Sequence, residues 1–93
     1  MVASTTIKLL AEFVGTFLFM VSILASGGNF LIIGSTLAVI MFLIGDISGA
    51  SVNPAVSAGL WYSGTLNTNM FMLYSLVEVL GALAAAYSYK IIG

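Results

Sequence analysis

The sequence predicts an all-α membrane protein with three transmembrane helices and one re-entrant half-helix. Three observations carry this. Hydrophobic residues make up 61% of the 93 positions and charged residues 5%, with a mean hydropathy of +1.22. A soluble domain of average composition carries about 25% charged residues, so five charged side chains cannot cover a globule of this size in water. Three apolar stretches are long enough, or nearly so, to cross a bilayer, and one polar, Pro-marked break interrupts them.

The first apolar stretch covers about residues 7–25. At a rise of about 1.5 Å per residue it spans a hydrocarbon core of about 30 Å. Glu12 and Gly15 within it, and the membrane sequence that follows, argue against a cleaved leader. Ser26-Gly27-Gly28-Asn29 is a breaker cluster. The second stretch, 30–45, is slightly short for a span and is followed by Asp46, which is placed at the membrane surface. Residues 48–59 then read SGASVNPAVSAG.

Within that break, Asn53 is a favoured N-cap and Pro54 suits the first helical position. A helix over 54–62 is about 13 Å long, roughly half a membrane. Residues 63–69 form a polar loop, and 70–92 are long enough to span again. No internal repeat or linker is visible, so residues 1–93 read as a single unit.

The charged residues are Lys8, Glu12, Asp46, Glu78 and Lys90. They form no basic patch, which argues against nucleic acid as a partner. The absence of His and Cys removes zinc, iron–sulfur and disulfide sites, and with them Ser-His and Cys-His catalysis. Neither a metal, nor a cofactor, nor an enzymatic activity is expected.

Backbone that is not helical is costly at membrane depth unless protein or a water-filled cavity surrounds it. The break therefore predicts a cavity. The N-terminus of a half-helix offers free N–H donors and about half a positive charge. It repels cations, and Asn53 can donate to a passing solute. Carbonyls of Gly49, Ala50, Ser51 and Val52 would supply acceptors leading to it, a route for small neutral polar molecules. A re-entrant structural loop without a pathway is the competing reading. Gly15, Gly59 and Gly81 read as close helix-packing sites. Trp61, Tyr62, Tyr87 and Tyr89 suit an interfacial belt.

Residues 48–59 closely resemble the Asn-Pro-Ala loop of the aquaporin/glycerol facilitator family, the major intrinsic proteins. AEFVGTF at 11–17 is similar to that family's first helix, and EVLGALAAA at 78–86 to its third. The resemblance covers essentially the whole chain. It implies half of an aquaporin-like bundle whose motif is Asn53, Pro54 and Ala55, with Glu12 accepting N–H bonds from the loop. For Glu12 and Glu78 a structural brace and proton transfer are both open readings. Family members join two inverted halves, and this sequence resembles the first, because Val56 stands where the second half usually carries Arg. No Arg and no His is present. By family spacing the filter positions are Ile33 and Met41, beside Val56, which makes an apolar constriction.

The function implied is passive conduction of water or small neutral solutes such as glycerol in an integral, multi-pass membrane protein. The pore would be completed by an inverted second copy or a partner, and such pairs would cluster as the family's tetramers do. The alternative is a non-conducting membrane subunit that modulates a full-length channel.

Overall fold

A computed structural model describes residues 3–93. The described residues form four helices: α1 (Thr5–Ala25), α2 (Phe30–Ser48), α3 (Pro54–Tyr62) and α4 (Thr68–Ile92). Each starts on a polar cap. The Ser4 hydroxyl accepts the Ile7 N–H, and Asn29 Oδ1 accepts those of Leu31 and Ile32. Asn53 Oδ1 accepts the Ala55 N–H, and Asn67 Oδ1 accepts that of Met70. These side chains occupy donors that would otherwise be orphaned at a helix start.

Three boundaries differ from the sequence expectation. Helix α1 begins at Thr5, because Ser4 caps it. Helix α2 does not stop at residue 45 but runs through Asp46 to Ser48. Asp and Ile lower helix propensity only slightly, whereas Gly49 adopts φ +90° and donates its N–H to the Gly45 carbonyl, ending the helix. Helix α4 takes in Thr68 and Asn69, because Asn67 is the cap.

Three helices, α1, α2 and α4, are long and apolar enough to cross a membrane; α3 has nine residues. Helix α1 packs against both α2 and α4, and α3 lies on α4. The interior is unusually polar. Glu12, Thr16, Ser22, Ser48, Ser51, Ser57 and Glu78 are buried beside Ile40, Ala50, Val52, Tyr74 and Ala85. Most large apolar side chains face outward, among them Phe30, Phe42, Met72 and Ile92. Such a distribution fits lipid, not water, as the solvent of the outer surface. Trp61 stacks on Phe71 with centroids 5.2 Å apart, and its indole N–H donates to Thr68 Oγ1 at 3.0 Å.

Two glycines let backbones approach. A Cβ on Gly81 would sit 2.6 Å from the Phe13 carbonyl oxygen, where α4 crosses α1. A Cβ on Gly15 would sit 2.8 Å from Val52 Cγ1 and 2.9 Å from Ile44 Cδ1. Gly59 is a correction: no described residue lies within 4 Å of a Cβ added there, so it is no packing contact among the described residues. A glycine in a helical pattern does not by itself reveal which way it faces. The two sites should part under substitution. Gly81→Ala must push α1 from α4 and is expected to lose about 1–3 kcal/mol, the usual penalty of overpacking. Gly59→Ala is expected to be neutral or to gain up to about 1 kcal/mol from better helix propensity. Thermal unfolding in detergent compares them, and equal midpoints would contradict this packing.

Candidate functional site

The segment between α2 and α3 is a strained turn held from below. Ala50 has φ +49° and Val52 φ +41°, following Gly49 at +90°. A β-branched residue in this region is a real outlier, and each such residue costs on the order of 1–3 kcal/mol unless its surroundings enforce it. The enforcement is visible. The Val52 N–H donates to Glu12 Oε1 at 2.8 Å, while the Val52 side chain fills the notch left by Gly15. The Ala50 N–H donates to Ser48 Oγ at 3.2 Å. The Tyr74 hydroxyl donates to the Ser48 carbonyl at 2.6 Å, occupying an acceptor at the C-terminal end of α2.

Beneath the turn lies a hub of carboxyls and hydroxyls. Glu12 from α1 and Glu78 from α4 are fully buried. Ser48 Oγ donates to Glu12 Oε2 at 2.5 Å. Ser51 Oγ lies 2.9 Å from Glu12 Oε1, 2.7 Å from Glu78 Oε2 and 2.9 Å from Ser57 Oγ. Ser57 Oγ, one turn into α3, lies 2.9 and 3.0 Å from the two Glu78 oxygens. The hub thus ties α1, α2, α3, α4 and the loop together at one point. A carboxyl lying so deep is tolerable only when hydrogen-bonded in this way.

Above the hub, α3 presents its N-terminus. Pro54 has no N–H, Ala55 donates to Asn53 Oδ1 at 2.9 Å, and Ser57 donates to the Asn53 carbonyl at 2.9 Å. The Asn53 amide nitrogen and the Val56 N–H meet no acceptor among the described residues, and Asn53 is exposed. The carbonyls of Gly49, Ala50, Ser51 and Val52 accept no hydrogen bond from a described residue. A cavity of about 310 Å³ adjoins this tip. Val52, Asn53 and Pro54 line it, with Thr16, Phe19, Met20 and Ile23 of α1 and Glu78, Val79, Ala82 and Leu83 of α4.

The expected residues are not all assembled there. Gly49, Ala50 and Ser51 do not line this cavity, and Ala50 and Ser51 are buried. Ile33, Met41 and Val56 do not line it either; Met41 and Val56 are about half exposed. Ala55 is exposed in the first turn of α3. Asp46 is exposed in the last turn of α2. The sequence reading missed the hydroxyl roles of Ser48, Ser51 and Ser57 and the part of Tyr74. One signal was present: Tyr74 stands four residues before Glu78 and so shares its helix face.

Spanning helices around a half-length helix with an open, donor-bearing tip define a multi-pass membrane protein of re-entrant-loop architecture. The chain belongs to the major intrinsic protein family, whose model matches residues 2–92. Aquaporin AqpM of Methanothermobacter thermautotrophicus is 39% identical over 95 residues, covering 88% of this chain and 39% of that protein. Aquaporin Z of Brucella melitensis biotype 1 is 39% identical over 93 residues, covering 85% of this chain and 41% of that protein. The chain therefore spans about two fifths of the length of the curated relatives it matches. No solved structure matches significantly. The family is one of integral membrane channels, not of enzymes.

Proposed function

We propose that the chain is half of a passive channel for water and small neutral solutes such as glycerol, completed by a second, inverted half. The observation that carries this reading is the tip of α3. It places an open Asn53 amide donor and an open Val56 N–H at the positive end of a nine-residue helix, beside a cavity. A neutral solute gains hydrogen bonds there, while a cation meets the helix dipole and no carboxylate in the open. The names of the relatives, aquaporins both, support the same solute class. One half leaves the Asn53 side uncovered, and apolar Phe19, Met20, Val79 and Leu83 flank it. Because no Arg or His is present, the constriction is apolar, and water is not strongly favoured over small linear polyols. Ile33, Met41 and Val56 would constrict the passage only once a second half is seated.

In this reading the second half is another copy inserted in the opposite orientation, so that two α3 tips meet near Asn53 and Pro54. Three spans put the ends of this chain on opposite sides of the bilayer. Lys8 stands near one end and Lys90 near the other. Orientation follows the excess of Lys and Arg on the cytoplasmic side, and here one Lys opposes one Lys. For the 93-residue chain expressed by itself, comparable populations are expected in each orientation. The sequence has no Cys, so a single Cys placed ahead of Ser4 and labelled from outside sealed cells reads the orientation cleanly. Labelling of about half the chains is expected. A single orientation would replace the inverted copy with a separate partner subunit, and the chain would then be an accessory half of a full-length channel.

A further inference from the structure

We infer that the Glu12–Glu78 hub holds one hydrogen more than two carboxylates would, and that Glu78 carries it as a neutral carboxylic acid donating to Ser51. The argument is a count of hydrogens. Within 3.5 Å the two carboxyls meet hydroxyls and a backbone N–H, they also face each other, and no cation is among their partners. Ser51 Oγ has one hydrogen, yet it faces a Glu12 oxygen at 2.9 Å and a Glu78 oxygen at 2.7 Å. An ionised carboxylate only accepts. With both ionised, one of those two contacts sets lone pair against lone pair between fully buried groups. A second hydrogen on that line removes the conflict.

The neighbours say which carboxyl carries it. Both Glu12 oxygens have a donor apart from Ser51: the Val52 N–H at 2.8 Å on Oε1 and the Ser48 hydroxyl at 2.5 Å on Oε2. Glu78 has only Ser57 besides Ser51. The chain that leaves no contact without a hydrogen runs from Glu78 Oε2–H to Ser51 Oγ and from Ser51 Oγ–H to Glu12 Oε1, with Ser57 Oγ–H shared between Glu78 Oε1 and Ser51 Oγ, each 2.9 Å away. Glu78 is thereby a positioning residue. It orients the Ser51 hydroxyl toward Glu12, and so fixes the turn that carries Asn53. The hub has a net charge of −1, not −2, beneath the α3 tip.

Glu78→Gln tests this, since Gln keeps one donor and one acceptor in the same shape. The variant should fold with near-normal thermal stability in detergent, whereas Glu12→Gln, whose amide would face the Val52 N–H or the Ser48 hydroxyl with a second donor, should be clearly less stable. Infrared spectroscopy gives a readout that packing alone would not move. Only three side-chain carboxyls exist in the sequence. The folded protein in neutral buffer should show one protonated-carboxyl C=O band, shifted on hydrogen–deuterium exchange. The band should persist in Asp46→Asn and vanish in Glu78→Gln. No such band in the folded wild type overturns the extra hydrogen, and a band that survives Glu78→Gln overturns its assignment. Should Glu78→Gln fail to fold, the assignment to a neutral Glu78 is overturned as well.

Discussion

Replacing Asn53 with Asp is expected to abolish solute flux or to open the passage to cations. Asn53 Oδ1 caps α3 through the Ala55 N–H, so a carboxylate retains the cap. The open donor, however, is lost. In its place comes a negative charge at membrane depth, which costs about 3 kcal/mol on insertion scales and more in simulations. It also offsets the half positive charge of the helix end that excludes cations. Flux of neutral solute should fall by at least about tenfold, the equivalent of about 1.4 kcal/mol in the barrier. Proteoliposome shrinkage, with a parallel cation-leak assay, reads both effects. Wild-type flux with unchanged cation exclusion would remove Asn53 from the mechanism.

The second large effect is expected at Glu12. Truncation by Glu12→Ala strands the Val52 N–H, leaves the Ser48 hydroxyl only the Ile44 carbonyl at 3.4 Å, and leaves Ser51 without its Glu12 acceptor. Each buried polar group left unpaired costs about 1–3 kcal/mol. Val52 at φ +41° also loses the acceptor that stabilises its strained turn. The sum is at least about 3 kcal/mol, a large share of the net stability of a small domain. Circular dichroism should show a strongly lowered midpoint or no cooperative transition in detergent. A midpoint close to wild type would mean that the turn is held by something other than this carboxyl.

How far the sequence alone reached depends on the range of each signal. The bounds of α3 were legible because both ends are written locally, as Asn53-Pro54 at the start and Ser63-Gly64 after the end. The end of α2 was misplaced because Asp46 looks like a surface residue, while the residue that stops the helix is Gly49 in the left-handed region. Glu12 and Glu78 were legible as buried carboxyls in apolar helices. Their partners were not, since Ser48, Ser51 and Ser57 lie 21–39 residues away in the chain from the carboxyl they meet. Gly15 and Gly81 face neighbours, and Gly59 faces none, a distinction that only the packing of α1 against α4 and of the loop against α1 creates. Ile33 and Met41 lie on α2, away from the cavity at the α3 tip, so no local pattern could have placed them beside it.

The central claim is that this chain, with an inverted copy of itself, conducts small neutral solutes. Stopped-flow light scattering on liposomes that contain only this 93-residue chain tests it most directly, with water and glycerol gradients applied in turn. Both permeabilities are predicted to rise well above those of empty liposomes, and to fall back in Asn53→Asp. Rates indistinguishable from empty liposomes for both solutes, from protein verified as folded, would contradict the claim.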